Sequence, residues 1–391
     1  MSTPAKFEPT ASSQVVWSFV LGGMASQLAS AYYDVIRGPL LPPVMQSLQM
    51  EFTQSAAYLA IGHGAASIAT LALIWALNRW SERALLVVIG AVGASAGLWA
   101  QFVVSYSGLL VLAALIGVAV TALGTLATIL VLEGTPSLLQ SRVLAAQNST
   151  YGIGCMAGAT VVGAGLAHGL SWQQIFGLGA PAYVGLMIFA WLRLRPHHLA
   201  ATQRTVQSAG LSPLQALVVA TFAIYVAAEV TTSMWLTSYL VQVHRLAASA
   251  TSGYVSGFFL VLTLSRLACA FWLRPRWEKR VIYAALILPL VGFALGMHGE
   301  LWGFSLVGLC GPFFPVYLAR MSRLFPDKWR SVTIWIMVIM NISIGGFDLV
   351  LGRLADIFGL ATAYCLPAVL FIAAVALLAA YFRQERRQGS L

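Results

Sequence analysis

Long apolar segments follow one another along almost the whole chain. Only 9% of the 391 residues are charged and 59% are hydrophobic, whereas a soluble domain carries about 25% charged residues. The segments repeatedly reach the roughly 20 residues that a helix needs to cross a bilayer core. They are continuous rather than alternating, which favours helices over the strands of a membrane barrel. The sequence therefore predicts an all-α membrane protein.

About twelve such segments are predicted to be transmembrane helices. They lie near residues 15–45, 54–77, 84–104, 108–133, 146–169, 174–193, 212–241, 251–273, 281–298, 301–321, 331–352 and 361–382. The longest polar stretch separates the sixth helix from the seventh. We therefore predict an N-terminal six-helix bundle at 1–194, a linker at 195–211 and a C-terminal six-helix bundle at 212–391.

Basic residues are concentrated in the loops on one side of the predicted helices. Eighteen of the 22 Lys and Arg residues lie in these loops and tails, while the opposite loops hold little beyond Arg245. Loops rich in Lys and Arg are retained in the cytoplasm. We expect a multi-pass protein of the cytoplasmic (inner) membrane, with both termini and the linker in the cytoplasm.

Matching residues relate the two predicted bundles to each other. At an offset of 196 residues, Tyr58 aligns with Tyr254, and at an offset of 188, Gly158 aligns with Gly346. Both offsets align helices that hold corresponding places in a six-plus-six arrangement. Because duplicated halves are common in transporters, this pattern indicates two pseudo-symmetric six-helix bundles.

Three segments of the chain resemble the major facilitator superfamily, and the resemblance extends over essentially the whole chain. The loop between predicted helices 2 and 3 reads Asn78-Arg79-Trp80-Ser81-Glu82-Arg83, which is similar to the acidic–basic loop of that superfamily. The start of helix 5, at 142–154, and the end of helix 11, at 352–359, are also similar to it. The resemblance implies a secondary active transporter in which two bundles rock around a central cavity.

Helices 7 and 10 resemble one branch of that superfamily, the fucose–galactose–glucose:proton symporters. The resemblance rests on segments 225–230 and 311–315, together with Asp34 in helix 1. The acid that fucose permeases carry in helix 4 is missing, since Leu123-Gly124-Thr125 stands there. The branch implies proton-coupled import of a sugar-like or related metabolite. The alternatives are a proton-coupled drug or metabolite exporter and a non-transporting sensor or scaffold in the same fold.

Two carboxylates lie at similar depth in the first helix of each predicted bundle. The 196 offset brings Asp34 of helix 1 within one residue of Glu229 of helix 7. A charge at mid-membrane costs roughly 2.5–3.5 kcal/mol on insertion scales, so each needs a function or a partner. We predict that both couple protons to transport; the alternative is a structural tie, for which Arg37 is the neighbour of Asp34. His63 is either a proton relay or a satisfied packing group.

Further charged residues are predicted to form a gating or charge network. They are Arg37, Arg79, Arg83, Glu133, Arg142, Arg266 and Asp348. Within this set, Glu133 is expected to contact Arg142 near the cytoplasmic ends of their helices. Asp348 is expected to pair with Arg353 or Arg266; the alternative is that it faces the central cavity.

Aromatic and amide side chains at central depth are the predicted solute-binding groups, because such groups usually hold sugars and flat organic solutes. The candidates are Tyr32, Tyr33, Asn148, Tyr151, Tyr225, Trp235, Phe314, Trp335 and Asn341. The alternative for each aromatic residue is packing between helices or contact with lipid.

Motifs for covalent or cofactor chemistry do not stand out in the sequence. We find no metal-ligand cluster, phosphate-binding Gly-Lys loop or nucleophile–base spacing. We therefore expect no enzyme activity, no cofactor or metal and no nucleic-acid partner. The expected partners are a small-molecule solute, protons and the lipid bilayer, and the expected functional unit is a monomer.

Overall fold

The computed structural model describes residues 15–136, 139–194, 212–325 and 329–388. The described residues form helices joined by short turns. The helices are α1 Trp17–Ile36, α2 Leu41–Leu48, α3 Phe52–Leu77, α4 Glu82–Ala100, α5 Tyr106–Glu133, α6 Gln140–Ala167, α7 Trp172–Gly177, α8 Ala180–Arg193, α9 Pro213–Gln242, α10 Ala248–Trp272, α11 Glu278–Met297, α12 Gly303–Leu306, α13 Phe313–Leu324, α14 Trp329–Phe358, α15 Leu360–Ala363 and α16 Leu366–Gln388. We call α1 to α8 the N-half and α9 to α16 the C-half. The predicted linker at 195–211 lies outside the described residues, and its bounds stay a prediction.

Twelve membrane crossings account for these helices, as the sequence predicts. Among the described residues, eleven stretches are long and apolar enough to cross a membrane. Three of these stretches join neighbouring elements, namely α7 with α8, α12 with α13 and α15 with α16. The twelfth crossing is α1, which is 20 residues long and less apolar because it carries Ser26, Ser30 and Asp34. The all-α membrane fold is therefore confirmed.

The first predicted segment, 15–45, is two helices rather than one bent helix. Pro42 and Pro43 lie in the first turn of α2. Proline lacks a backbone N–H and is tolerated in a first turn but not in a helix interior. The resulting break after α1 places Arg37 just beyond the last turn of that helix.

The helix bounds reproduce the predicted internal repeat. An offset of 196 carries α3 from 52–77 to 248–273, and α10 spans Ala248–Trp272. The same offset carries α4 onto α11 within one residue at each end. The packing repeats as well, because α1 contacts α6 as α9 contacts α14, and α4 contacts α8 as α11 contacts α16. The fold is two pseudo-symmetric six-helix halves.

The helices alternate in direction, so their ends lie at two opposite levels. We call one level the terminal end; it holds the start of α1, the start of α9 and the end of α16. The backbone N–H of Val16 donates to the carbonyl of Gly134 at 2.9 Å, which fixes the start of α1 beside the end of α5. We call the opposite level the distal end.

The halves meet mainly along two helix pairs, α3 with α14 and α6 with α10, and α2 makes a smaller contact with α9. In the first pair, small residues face each other: a Cβ on Gly352 would lie 2.5 Å from the Cβ of Ala56, and Gly345 lies against Ala60. Small residues allow helices to approach closely. This surface, defined by Ala56, Ala60, Gly345 and Gly352, is called the α3–α14 interface below.

The distal end of this interface is closed by hydrogen bonds. The Asp356 carboxylate of α14 accepts the backbone N–H groups of Phe52, at 3.0 Å, and Thr53, at 2.9 Å. These N–H groups belong to the first turn of α3, where a negative charge is favourable. The distal end is therefore joined by a carboxylate of one half bound to a helix start of the other.

The second pair of helices is joined by hydroxyl contacts. The hydroxyl groups of Thr160 on α6 and Ser256 on α10 lie 3.1 Å apart, and Ser256 also donates to the carbonyl of Met156 at 3.2 Å. Both interfaces thus join the halves between the distal end and the middle of the molecule.

At the terminal end, the C-half contains an ion-pair network within itself. Arg320 of α13 donates to Glu278 at 3.0 Å and also pairs with Glu385. Arg323 pairs with Glu278, and Lys279 lies 3.3 Å from Glu385. Arg320, Glu278 and Glu385 are each less than 20% exposed. The network ties α11, α13 and α16 together.

We expect Arg320→Ala to lower the free energy of unfolding by on the order of 3 kcal/mol, because it leaves two largely buried carboxylates with only their more exposed partners, Arg323 and Lys279. Lys279→Ala is the matched control. Its side chain is 50% exposed, so its loss is expected to cost less than about 1 kcal/mol. Thermal unfolding of the purified protein measures both changes. Equal destabilisation by the two variants would contradict the central place of Arg320.

We expect Gly352→Val to separate the halves at the distal end, because its side chain would collide with Ala56 and with the backbone of Phe52. Gly346→Val is the control, since nothing lies within 4 Å of a Cβ at that glycine. Spin labels on Ser47 and Ile357 report the distance between the halves. The distance should increase in the first variant alone; an unchanged distance would show that the interface tolerates the added bulk.

Candidate functional site

The N-half places a compensated carboxylate near the end of α1. Asp34 forms an ion pair with Arg37, whose Nε also donates to the Asp34 carbonyl at 3.3 Å. The hydroxyl of Tyr151, on α6, donates to Asp34 Oδ2 at 2.5 Å. Arg37 is buried, and its guanidinium lies against Gly62 of α3. We call Asp34, Arg37 and Tyr151 the N-cluster.

The C-half contains a matching group of residues. Glu229 of α9 lies 3.3 Å from Arg266 of α10 and accepts a hydrogen bond from the hydroxyl of Tyr225, one turn earlier. Arg266 Nε donates to the carbonyl of Gly311 at 3.1 Å, and its guanidinium lies 5.6 Å from the centre of the Phe314 ring. We call Glu229, Arg266 and Tyr225 the C-cluster.

The two clusters are neighbours and are similar in composition. Each has one carboxylate, one arginine and one tyrosine hydroxyl, and each carboxylate belongs to the first helix of its half. Gly152, the residue after Tyr151 on α6, lies against Thr263, one turn before Arg266 on α10. Asp34 is 22% and Glu229 is 14% exposed. The clusters therefore form a partly open central site whose formal charges cancel.

Asp348 does not make the ion pair that the sequence predicts. Arg266 is bound to Glu229 instead, and Asp348 Oδ1 accepts hydrogen bonds from Trp235 Nε1 at 3.0 Å and from Thr231 at 3.4 Å. Its side chain is 0% exposed. Pairing with Arg266 was wrong because the guanidinium reaches a nearer carboxylate across the α9–α10 contact.

His63 and Asn341 form a polar contact between the halves. His63 Nδ1 lies 3.5 Å from Asn341 Oδ1, and both side chains are buried. Asn341 lies seven residues before Asp348 on α14, hence on the same helix face. The predicted solute-binding amide Asn341 therefore belongs to the α3–α14 contact rather than to the central site.

A polar group that the sequence reasoning missed lies beside the N-cluster. Gln147 of α6 is buried, and its Nε2 donates to Gln27 at 3.4 Å and to Thr128 at 3.2 Å. Asn148, a predicted candidate, is the exposed neighbour of Gln147. The sequence could have indicated this group, because Gln27, Thr128 and Gln147 are uncharged polar residues within three apolar segments of the same half.

Two predicted aromatic candidates are engaged elsewhere. Tyr33 is fully buried, donates to the Gly93 carbonyl at 3.1 Å and stacks on Tyr183. Tyr32 donates to the carbonyl of Ile175 at 2.7 Å. Both contacts lie within the N-half. Consecutive side chains on α1 point about 100° apart, so Tyr32 and Tyr33 point away from the face on which Asp34 contacts Tyr151.

Two predicted tryptophans also lie away from the central site. Trp235 is fully buried and holds Asp348. Trp335 lies six residues after the start of α14, about 9 Å along the helix from its first residue, and its side chain is 45% exposed. The central depth predicted for Trp335 was wrong because α14 continues to Phe358, beyond the predicted end.

Part of the predicted gating or charge network lies near the terminal end. Arg79 lies over the ring of Trp75 at 4.3 Å, and Arg83 lies over that of Trp191 at 4.1 Å. Glu133 is an exposed residue at the end of α5. The side chain of Arg142 lies outside the described part of the structure, so its contact with Glu133 stays a prediction.

The chemistry available at the central site is reversible binding. Among the residues that the structure describes, no group of three or more His, Cys, Asp or Glu side chains is arranged to hold a metal ion. The site offers tyrosine hydroxyls, two arginines, two carboxylates and the ring of Phe314. Such groups hydrogen-bond and stack on a polar organic molecule.

Solved structures of transporters share this fold. The inward-open xylose transporter XylE from E. coli has a TM-score of 0.77 at 10% identity, covering 94% of this chain and 96% of that chain. A mutant of the nucleoside transporter NupG has a TM-score of 0.74 at 16% identity, covering 93% and 100%. A bacterial homologue of the human lysosomal transporter Spinster, inward-facing and occupied, has a TM-score of 0.71 at 12% identity, covering 93% and 96%.

Sequence comparison identifies the family. A search of curated protein sequences gave no significant match. The family model of the Major Facilitator Superfamily matches residues 19–332, which is most of the chain and includes both clusters. The predicted resemblance to the superfamily is thereby confirmed, and the chain belongs to the Major Facilitator Superfamily.

Proposed function

We propose that this protein is a secondary active transporter for a small, polar, uncharged organic solute, which it imports together with protons. Solved structures of the same fold include a nucleoside transporter and a xylose transporter, and both kinds of solute carry several hydroxyl groups. The proposed location is the cytoplasmic membrane, with the terminal end in the cytoplasm, because that end carries the basic loops.

The observation that carries this proposal is the charge balance of the central site. Arg37 is paired with Asp34, and Arg266 is paired with Glu229. A charged solute would have to displace one member of a pair and leave a partly buried charge uncompensated, which is costly. An uncharged solute keeps both pairs and uses the hydroxyl groups and amides around them.

The surroundings of the clusters support a hydroxyl-rich or flat solute. Phe314 offers a ring next to Arg266, and Tyr151 and Tyr225 offer hydroxyl groups that already bind the carboxylates. The amide of Asn148 is exposed beside Gln147. We propose that the site is open toward the terminal end in this state, so that an imported solute leaves between these groups through that end, since the contacts described above join the halves distally.

Alternating access follows from the two symmetry-related interfaces. The α3–α14 and α6–α10 contacts exchange places under the internal repeat. Rocking of the halves about the central site would open the distal end and close the terminal end. We further propose that Asp34 and Glu229 contribute to proton coupling, with a proton replacing the arginine as the compensating partner when a pair separates.

Transport assays in proteoliposomes containing a pH-sensitive dye test this function. The solutes are xylose, uridine, a dicarboxylate and a cationic drug. We expect an uncharged solute to enter and to acidify the lumen. If only a charged solute entered, the proposed specificity for uncharged solutes would be wrong. If the lumen became alkaline as solute entered, the protein would be an antiporter. No movement of any solute would favour the sensor or scaffold alternative.

Variants of the C-cluster connect this activity to the site. We expect Glu229→Gln to reduce uptake at least about tenfold, equivalent to about 1.4 kcal/mol, because it leaves Arg266 without its partner. Glu300→Gln makes the same chemical change at an exposed residue after α11 and should transport normally. Full proton-coupled uptake by Glu229→Gln would remove that residue from the mechanism.

A further inference from the structure

Asp348 differs from the two carboxylates of the central site because it has no cationic partner at hydrogen-bond distance. Asp34 and Glu229 each pair with an arginine. Asp348 Oδ1 is bound by Trp235 and Thr231, and its Oδ2 is buried without a hydrogen-bond partner among the described residues. Such a group is expensive to bury in its ionised form.

The position of Asp348 connects it to the contact between the halves. It lies three residues after Gly345 and four before Gly352, and both glycines pack on α3. These spacings place Asp348 on the same face of α14. The α3 residues at that level are the alanines 56 and 60, which offer no hydrogen bond from their side chains. The carboxyl group is therefore sealed where α3, α9 and α14 meet.

None of the described ionisable groups around Asp348 forms an ion pair with it. Arg37, beyond α1, acts on Asp348 through its charge but is hydrogen-bonded to Asp34. On α9, Glu229 is paired within the C-cluster. On α3, His63 contacts Asn341, two turns nearer the terminal end, and the buried hydroxyl of Tyr58 makes no hydrogen bond to the carboxyl group.

On α14 itself, the two charged groups that follow Asp348 lie nearer the distal end. Asp356 is bound to the start of α3, and Arg353 is exposed. Neither the neighbouring helices nor α14 thus provides a direct ion pair for Asp348 in this state.

We propose that Asp348 is a proton-binding site whose occupancy is linked to closure of the α3–α14 interface. With the interface closed, a proton compensates the carboxylate in the way an arginine compensates Asp34 and Glu229. Opening of the distal end brings water to Asp348, and the hydrated carboxylate releases the proton. Closing the distal end therefore takes up one proton, and the proton occupancy of Asp348 is thereby linked to the state of the α3–α14 interface.

This inference rests on the proposed transport function for its place in a cycle, but its test needs no solute. The protein is placed in lipid nanodiscs with spin labels on Ser47 and Ile357 and with Cys269 and Cys365 replaced by serine. The distance between the labels is measured from pH 5.5 to pH 9. We expect a short distance at low pH and a growing long-distance population as pH rises, by up to about tenfold per pH unit for one linked proton.

Three variants decide the assignment. Asp348→Asn should hold the short distance at every pH, because a neutral amide needs no proton. Asp356→Asn, the matched change on the same helix, should retain the pH dependence. Trp235→Phe removes a hydrogen bond to the ionised carboxylate and should move the midpoint upward by about one pH unit.

Two results of these measurements would overturn the inference. A pH-independent distance in the parent protein, or an unchanged pH dependence in Asp348→Asn, would remove Asp348 as the linked group. If Asp348→Asn does not fold, the midpoint in Trp235→Phe decides, since a merely structural bond would leave it unmoved. Solute uptake is measured separately, so it can succeed where this inference fails.

Discussion

Charge compensation inside the membrane is the constraint on which this structure depends. An uncompensated charge at the centre of a bilayer costs several kcal/mol, yet each half carries a carboxylate and an arginine there. The pairs Asp34–Arg37 and Glu229–Arg266 remove most of this cost. They also fix which helices meet, because the second pair ties α9 to α10. The same pairing leaves a central site that is polar but neutral.

The two halves separate binding from movement. Their centre holds groups suited to bind a polar solute, whereas their contacts consist of small residues, hydroxyl groups and the bond from Asp356 to the start of α3. Contacts of this kind can separate together when the halves move. The aromatic and ionic packing within each half keeps that half rigid. Asp348 lies at the border between the two functions, which is why its lack of a cation matters.

Sequence reasoning succeeded where information is local and failed where it depends on packing. Apolar runs and the 196-residue offset predicted the helices and their repeat, and the Asp34–Arg37 contact was foreseen because the residues are three apart. The Glu229–Arg266 pair was not foreseen, since the partners are 37 residues apart and meet only through the α9–α10 contact. Tyr33 was misplaced because one residue along a helix turns a side chain by about 100°, and apolar runs do not show which face is central.

The central claim is that a charge-balanced site binds an uncharged solute, which is imported together with a proton. The number of charges moved per solute molecule tests this claim most directly. Currents from proteoliposomes on a solid-supported membrane, compared with uptake of radiolabelled solute, give this ratio. The account predicts one positive charge moved inward per solute, with uptake and current both lost in Asp348→Asn, because its distal end stays closed. Uptake without any current, or an undiminished current in that variant, would contradict it.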